Sequence, residues 1–284
     1  MYIDLNEIAL NFEKHSVSTI YFQDLKKFWE SKIRDYYLEG LTKFKIGNRA
    51  PEFNFPYISQ GRVDSPNLFG INELILFAYY EKTIGTQYTK VLDLGANVGL
   101  HTIFISLLGG KVTSVEPDPI TFKILSNNVS SEIFLNPPNL INAAAFTEDS
   151  KSVKFLRVLQ NRTGSHVLGS RESMPYGGYE EIIVEGVSVT KLLKQAYDLV
   201  KIDVEGLEAD LICSIDLGKF PVTSYLVEVG SQKNAKKIWH HIQSCQFNAF
   251  SQKNGWKSVR KLEEIPTHHT EGTLFVTSSN KMHW

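Results

Sequence analysis

The amino-acid sequence predicts an α/β fold, in which a doubly wound, mostly parallel sheet follows a helical segment at the amino end. Three observations lead to this prediction. From Lys90 onward, short apolar runs alternate with segments of helical periodicity, which is typical of parallel sheets with right-handed crossovers. Near the carboxyl end, two apolar runs follow each other with no helix between them, which predicts an antiparallel last strand. The first 66 residues show helical spacing without this alternation.

The charge balance argues against a nucleic-acid partner. The 284 residues include 30 Lys and Arg against 31 Asp and Glu, so the formal net charge is −1. Proteins that bind a phosphate backbone usually carry a basic excess that neutralises it. We therefore expect a globular protein whose partner is something other than DNA or RNA.

Cysteine content and apolar run length bear on where the chain resides. Cys213 and Cys245 are the only cysteines, too few for a disulfide framework. The longest apolar run, residues 74–80, is far shorter than the roughly 18 residues of a membrane span. The first residues include Asp4 and Glu7 where an export signal would be basic. These features predict a cytoplasmic protein with no membrane span.

Residues 1–66 are predicted to form a helical extension. Aromatic and aliphatic side chains recur at helical spacing between Tyr21 and Ile33, and prolines and glycines mark residues 47–67 as a loop. The segment is too short for an independent domain, so the main domain is expected at residues 67–284. We expect the extension to pack over the ligand crevice or against a second copy in a homo-oligomer.

Seven strands are predicted for the sheet of the main domain. The last two form an antiparallel hairpin that closes one edge. The predicted strands are residues 91–94, 112–115, 140–145, 199–202, 224–229, 247–250 and 273–277. Between the third and fourth strands, residues 150–189 contain two segments of alternating polarity with a glycine-rich stretch between them, which predicts an inserted β-ribbon with a long loop.

The most specific motif is a turn at the end of the first predicted strand, with the sequence Asp93-Leu94-Gly95-Ala96-Asn97-Val98-Gly99. Its glycines let the backbone turn tightly and approach a ligand, and the helix that follows offers free N–H groups. Glu116 ends the second strand, where its carboxylate could bind both hydroxyls of a ribose. Together these features predict a ligand that contains a nucleoside.

The spacing and the charge of the turn distinguish between nucleoside ligands. A dinucleotide loop has the pattern G-x-G-x-x-G, whereas this turn has G-A-N-V-G. Asp93 would repel a pyrophosphate but could bind an ammonium group. S-adenosylmethionine carries an ammonium group, a ribose and an adenine and has no phosphate, so the electrostatics favour it. The alternative role of Asp93 is to cap the turn.

These residues resemble the FkbM-type family of S-adenosylmethionine-dependent methyltransferases. The resemblance rests on the turn at residues 93–99, on Glu116-Pro117 and on residues 200–208, and it spans roughly residues 67–229. It implies a class I, Rossmann-like methyltransferase domain that transfers methyl groups, usually to a hydroxyl oxygen. The acceptors of the family include sugars, lipids and polyketides, so a small molecule or a glycan is the expected acceptor.

The resemblance also assigns the residues that bind the cofactor. The methionine end is assigned to the turn, at Asp93, Gly95, Ala96, Asn97 and Gly99. The ribose is assigned to Glu116 with the adjacent Pro117. The adenine is expected at the end of the third strand, near Asn142 and Ala144, where small side chains leave room for a ring.

Three residues are candidates for the catalytic face. Asp203 and Glu205 directly follow the fourth strand, at the edge where open α/β sheets bind ligands. We expect Asp203 to lie near the methyl donor, and one of the two to orient or deprotonate the acceptor. Glu205 could instead stabilise a helix N-terminus. His101, in the first turn of the cofactor helix, could touch the acceptor or fill the crevice wall, and Lys201 is expected to form a buried ion pair.

Two further pairs could face the crevice. His268 and His269 precede the last strand, and we favour a solvated loop for them over a catalytic base. Ser165 and His166 lie in the inserted ribbon, where they could form a lid over the acceptor.

Three alternatives stay open from the residues alone. Glu228 ends the fifth strand, and a divalent cation at this carboxylate-rich edge is conceivable, although we favour a site without metal. An NAD(P)-dependent oxidoreductase could use a similar sheet, but the spacing of the turn and Asp93 argue against it. A cofactor-binding module without turnover is disfavoured because Asp203 and Glu205 are both present.

Overall fold

The computed structural model describes residues 1–171 and 178–284. The amino-terminal part contains β1 (Tyr2–Ile3), α1 (Asn6–Leu10), α2 (Ile20–Leu38), β2 (Lys43–Ile46), β3 (Phe53–Asn54) and α3 (Ser65–Leu68). The central part contains α4 (Ile71–Thr83), β4 (Lys90–Leu94), α5 (Leu100–Leu107), β5 (Lys111–Val115), α6 (Pro119–Ser130), β6 (Asn139–Ile141), β7 (Ala144–Phe146), β8 (Ser150–Val158), β9 (His166–Val167) and β10 (Tyr179–Ser188). The carboxyl-terminal part contains α7 (Val189–Leu193), β11 (Leu199–Ile202), α8 (Glu208–Ser214), β12 (Ser224–Glu228), α9 (Gln232–Cys245), β13 (Asn248–Ser251), β14 (Lys257–Ser258) and β15 (Thr273–Thr277).

The main sheet has eight strands in the order β14-β13-β15-β12-β11-β4-β5-β6. The strands β12, β11, β4, β5 and β6 each run parallel to the next strand in this order, whereas β15 runs antiparallel to both β12 and β13. The predicted α/β class and the antiparallel last strand are confirmed, and the two-residue β14 adds one strand to the seven predicted. The strand order reverses beside β4, so a crevice forms at the carboxyl ends of β4 and β11.

The predicted single strand at residues 140–145 is wrong, because the chain changes sheets within it. β6 ends in the main sheet, and β7 pairs in parallel with β10 in a second sheet of order β7-β10-β8-β9. At the break, the Asn142 side chain donates hydrogen bonds to the carbonyls of Glu116 (2.9 Å) and Pro117 (3.1 Å). These bonds hold the chain where it leaves the main sheet.

The inserted β-ribbon is confirmed. β8 and β10 pair antiparallel along most of their length, with an irregularity between Val184 and Gly186, and β9 pairs with β8. Of the loop predicted between the ribbon strands, residues 172–177 lie outside the described residues.

The amino-terminal segment contains the predicted helices and also a small sheet of order β1-β2-β3, which the prediction of a helical extension missed. The pairing of β1 with β2 joins residues about forty positions apart, so the spacing within either segment could not reveal it. Phe44 of β2 is fully buried and stacks on Phe69 with ring centroids 4.5 Å apart. The segment shares one apolar core with α4, α5 and side chains from β4, β5, β11, β12, β13 and β15 of the main sheet.

Helix α4 explains the uncharged run in the sequence. Nine of its thirteen residues are buried, because α1, α2 and α5 all pack against it. A helix that is apolar all round is a buried core helix when it is this short. Across residues 1–171 and 178–284, no helix has both the length and the apolar character needed to cross a membrane.

Because Phe44 lies in the shared core, Phe44→Ala is expected to lower the free energy of unfolding by about 3–5 kcal/mol through loss of buried contacts and formation of a cavity. Urea unfolding monitored by tryptophan fluorescence measures this change. Phe28→Ala is the matched control, because that ring is 54% exposed, and it should cost less than about 1 kcal/mol. Equal effects of the two variants would contradict the shared core.

Candidate active site

The turn after β4 is held against both neighbouring strands. The N–H groups of Gly95 and Ala96 donate to the carbonyl of Val115, at 3.0 and 3.1 Å. Gly95 has a φ of +83°, and a Cβ added there would lie 1.7 Å from the carbonyl oxygen of Asp203. Glycine is therefore required, since it permits the left-handed backbone and the direct contact with the end of β11.

Glu116 directly follows β5 and joins the end of that strand to the turn. One carboxylate oxygen accepts a hydrogen bond from the N–H of Asn97 and the other from the N–H of Asp118, both at 3.0 Å. Burial raises the pKa of Glu116 to about 8, although the two backbone hydrogen bonds act in the opposite direction. Each oxygen keeps a lone pair that a ligand hydroxyl could use.

A salt bridge that the sequence did not reveal lies beside Glu116. Arg157 of β8 donates two hydrogen bonds to the buried carboxylate of Asp118, at 3.0 and 2.6 Å, and one to Glu180 at 2.7 Å. This pairing anchors the inserted ribbon to the crevice. Arg157 follows the alternating pattern of a half-exposed strand, so nothing in the local sequence distinguished it.

The Asp93 side chain points into the sheet layer and is fully buried. One oxygen accepts a hydrogen bond from the Thr102 hydroxyl at 2.9 Å, and the other lies 3.9 Å from the Lys201 ammonium. The second oxygen has no hydrogen-bond partner among the described residues. Asp93 thus faces α5 and β11, and it caps none of the N–H groups of the turn.

Lys201 forms the predicted buried ion pair with Asp203, with 2.8 Å between its Nζ and the carboxylate. Although burial alone would raise the pKa of Asp203, the Lys201 ammonium and hydrogen bonds from Glu228 and Lys201 lower it to about 2. Burial and the neighbouring Asp203 charge raise the pKa of Glu228 well above its usual value. The two residues directly follow positions that pair in the neighbouring strands β11 and β12.

Glu205 lies in a strained part of the loop that follows β11. Its φ is +57°, its carboxylate forms an ion pair with Arg171, and its carbonyl accepts a hydrogen bond from Ser170 at 3.2 Å. Burial raises the pKa of Glu205 to about 8, against the attraction of Arg171. Glu208, not Glu205, accepts hydrogen bonds from the backbone N–H groups that lead into α8, including that of Gly206 at 2.8 Å.

His101 is bonded at both ring nitrogens. Nε2 lies 2.8 Å from the Glu73 carboxylate, and Nδ1 lies 3.3 Å from the Tyr80 hydroxyl. The ring also packs edge-on against Phe77, with centroids 4.9 Å apart. His101 therefore belongs to the crevice wall formed by α4 and α5. The contact between His101 and Glu73 joins positions 28 apart, so local sequence patterns could not reveal it.

The two pairs that could face the crevice differ in burial. His268 and His269 are exposed on the loop before β15, and partial desolvation of the His269 ring together with the charges of His268 and Arg171 lowers the pKa of His269. Ser165 and His166 are buried within the ribbon instead. Ser165 accepts a hydrogen bond from the N–H of Val158 at 3.0 Å, and His166 lies 2.9 Å from the carbonyl of Gly164.

The hydrogen-bond acceptors of the crevice fit a cationic ligand that contains a ribose. The Oδ1 atoms of Asp93 and Asn97 are buried without a hydrogen-bond partner, beside a glycine turn that lets a ligand approach the backbone. The carboxylates of Asp203 and Glu205 lie at the same edge. In the part of the chain that the structure describes, no group of three or more His, Cys, Asp or Glu side chains is arranged to hold a metal ion.

Three features of the parallel sheet together define an S-adenosylmethionine-dependent methyltransferase. They are a glycine turn after the central strand, an acidic residue after the next strand and carboxylates after β11. The sequence model of the methyltransferase FkbM domain matches residues 93–251, which is more than half of the chain. The chain belongs to the FkbM methyltransferase family. This result sets aside the oxidoreductase and the module without turnover.

Individual relatives are distant. The methyltransferase sdnD of Sordaria araneosa is 22% identical over 160 residues, which cover 44% of this chain and 60% of that protein. The chain thus spans less than two thirds of the curated relative that it matches. Among solved structures, the methyltransferase PaMTH1 of Podospora anserina, bound to S-adenosylhomocysteine, has a TM-score of 0.43 at 8% identity and covers 72% of this chain and 79% of its own. An S-adenosylmethionine-dependent methyltransferase of Agrobacterium tumefaciens has a TM-score of 0.41 at 10% identity and covers 85% and 78%.

The contact between the turn and β11 can be tested with Gly95→Ala. The added Cβ would collide with the Asp203 carbonyl, so the turn must move and the affinity for S-adenosylhomocysteine should fall more than about tenfold. Gly109→Ala is the matched control, since Gly109 also has a positive φ, +93°, but no atom within 4 Å of the added Cβ. Isothermal titration calorimetry measures the affinity of both variants for S-adenosylhomocysteine. Equal losses of affinity would show that backbone strain, and not the contact with Asp203, weakens binding.

Proposed function

We propose that this enzyme transfers the methyl group of S-adenosylmethionine to a hydroxyl oxygen of a small molecule or glycan. The observation that carries the proposal is the position of Asp203, whose carboxylate pairs with Lys201 and whose backbone carbonyl lies against Gly95 at the crevice edge. When bound, S-adenosylmethionine supplies an electrophilic methyl group. A hydroxyl that donates a hydrogen bond to Asp203 would have its oxygen oriented for in-line attack.

The same proposal assigns the chain's residues to parts of the cofactor. Gly95, Ala96, Asn97 and Gly99 would hold the methionine end through backbone N–H groups and the free Asn97 amide oxygen. The buried Asp93 would act on this end through its negative charge, since its carboxylate faces Thr102 and Lys201. Glu116 would bind the ribose hydroxyls with the remaining lone pairs of its carboxylate, with Pro117 beside it. Asn142 and Ala144, where the chain changes sheets, would border the adenine.

Asp203 and Glu205 would divide the catalytic work. A carboxylate with a pKa near 2 is a weak base, so Asp203 would orient the acceptor. Glu205, with a pKa raised to about 8, is much closer to the range in which a general base works near neutral pH. Its pairing with Arg171 would hold it in place. His101, fixed by Glu73 and Tyr80, would shape the wall against which the acceptor lies.

The charge of the crevice favours a neutral, polyhydroxylated acceptor. Glu73, Asp203 and Glu205 border it, and carboxylates readily accept hydrogen bonds from sugar hydroxyls. A phosphorylated or otherwise anionic acceptor would meet like charges there. An uncharged sugar or sugar-bearing molecule therefore fits best.

Incubation with tritium-labelled S-adenosylmethionine and a panel of uncharged sugars, their single-deoxy analogues and sugar phosphates tests this function. We expect label in an uncharged acceptor, its loss when one hydroxyl is removed, and resistance of the product to mild base, as an ether requires. Label that base releases as methanol, or label confined to amines, would contradict O-methylation of a hydroxyl.

Once the acceptor is identified, Asp203→Asn should lower kcat by about 100-fold and cofactor affinity by less than about tenfold. Asp210→Asn serves as the control, because the Asp210 side chain is 45% exposed.

The pH dependence distinguishes the role of Glu205. A general base acts in its ionised form, so kcat at saturating cofactor should rise with pH and level off above about 8, and fall about tenfold per unit below it. Glu205→Gln should be slow and should lose this rising limb. A variant that keeps the wild-type pH profile would assign the base to another group. Unchanged affinity for S-adenosylhomocysteine confirms that the variant is folded.

A further inference from the structure

The side chain of Gln252 joins three segments that are far apart in the sequence. Gln252 begins the helical turn that follows β13, and it is 1% exposed. Its carboxamide nitrogen donates hydrogen bonds to the side-chain oxygen of Asn72 in α4, at 2.7 Å, and to the carbonyl of His15, at 3.4 Å. Its carboxamide oxygen accepts a hydrogen bond from the N–H of Thr273, at 3.1 Å. Both N–H groups and the oxygen of this buried amide are therefore bonded to parts of the chain outside its own turn.

Asn72 extends the connection to the loop before β15. Its side-chain nitrogen donates a hydrogen bond to the carbonyl of His269, at 3.4 Å. Together with the bonds of Gln252, this contact closes a polar ring that ties both ends of residues 269–273 to the first turn of α4. Gly272 has a φ of +89°, and a Cβ added there would lie 2.2 Å from the carboxamide carbon of Gln252. The loop therefore lies directly against the buried amide.

The register of the main sheet places this loop at the crevice. β15 runs antiparallel to β12, and Thr273 pairs with Glu228, the last residue of β12. β12 in turn runs parallel to β11, with Val227 beside Ile202. The carboxyl ends of both strands and the start of β15 thus share one edge. The loop before β15 emerges at the same edge as Asp203, which directly follows β11.

The α4 side of the polar ring reaches the crevice through Glu73. This residue directly follows Asn72, and its carboxylate lies 2.8 Å from Nε2 of His101. His101 belongs to the first turn of α5, which begins immediately after the glycine turn. A displacement of Asn72 would therefore also displace the side chains of the crevice wall. The polar ring connects the position of that wall to the position of the loop before β15.

A carboxamide is the group that this junction requires. It donates to two oxygen atoms and accepts from one N–H group at the same time, which neither an apolar side chain nor a carboxylate can do. Its removal would take a hydrogen-bond partner from the buried N–H of Thr273 and from the Asn72 oxygen. The salt bridge between Lys253 and Glu271, at 3.1 Å, would still hold the loop to the turn after β13. Loss of the amide should therefore loosen the loop without detaching it.

We propose that Gln252 is a positioning residue for the methyl acceptor, because it fixes the loop before β15 relative to the crevice wall. It acts through Asn72 and the backbone of the loop, and not by contact with the acceptor. The inference rests on the proposed function, in which the acceptor lies against the wall that contains Glu73 and His101. The glycine turn has its own contacts with β5 and with the end of β11. Loss of the Gln252 amide should therefore weaken binding of the acceptor and leave binding of the cofactor intact.

Steady-state kinetics of Gln252→Met tests this role, with the uncharged sugar that accepts tritium label in the panel as the acceptor. We expect the KM for that sugar to rise about tenfold or more, kcat to change less than about threefold, and the Kd of S-adenosylhomocysteine to stay within about twofold. Asn72→Ala breaks the same ring and should raise KM similarly. The double variant should be no worse than the weaker single variant, since both residues belong to one connection. Gln243→Met, at an exposed glutamine of α9, is the matched control and should change none of these values.

Hydrogen exchange of the full chain with bound S-adenosylhomocysteine gives a readout that does not need the acceptor. Gln252→Met should accelerate exchange of the amides in residues 267–273 more than about tenfold and leave those of β4 and β11 unchanged. Unchanged exchange in the loop, or an unchanged KM, would overturn the role of Gln252. A loss of S-adenosylhomocysteine affinity as large as the rise in KM would also overturn it, because the effect would then be general.

The two proposals fail in different ways. Absence of label in every acceptor tested with the wild-type protein would contradict the proposed function, while the exchange rates still decide whether Gln252 holds the loop. If Gln252→Met does not fold, Asn72→Ala decides through the same two measurements, since Asn72 is only half-buried.

Discussion

The arrangement of the crevice depends on one buried ammonium group, that of Lys201. It lies between the carboxylates of Asp93 and Asp203, and it is itself almost fully buried. Without it, two negative charges would be left in the interior with little compensation, which is strongly destabilising. Lys201 stabilises the charge on Asp203 and lowers the pKa of that carboxyl group. A single cation thus compensates the carboxylates of β4 and of the loop after β11.

Around this ion pair, separate parts of the chain complete the site. The amino-terminal segment packs on α4, and α4 presents Glu73 and Tyr80 to His101. The inserted ribbon reaches the crevice through the salt bridge between Arg157 and Asp118. The turn after β4, the crevice wall and the ribbon therefore come from three regions that are far apart in sequence, and each is held by a small number of buried polar contacts.

Local features of the sequence were enough to predict the sheet, the turn and the residues at the strand ends. Alternating periodicity marked the strands, and the glycine turn required a particular backbone. What could not be predicted were contacts between distant positions: His101 with Glu73, 28 residues apart, and Arg157 with Asp118, 39 apart. The change of sheet at Asn142 was hidden because a single polar residue barely interrupts an apolar run. The sequence placed Asp93 correctly at the end of β4. It could not show that the Asp93 side chain points into the sheet layer, toward the buried Lys201.

The contact between Gly95 and the carbonyl of Asp203 is made by backbone atoms on both sides. Its geometry is therefore independent of which side chains surround the acceptor. Residues of the wall and of the loop before β15, such as Glu73 and His269, can vary without moving the turn that we propose as the site of the methyl donor. Such a division allows one scaffold to acquire new acceptors over evolution, or in a designed library, while it keeps the same methyl donor.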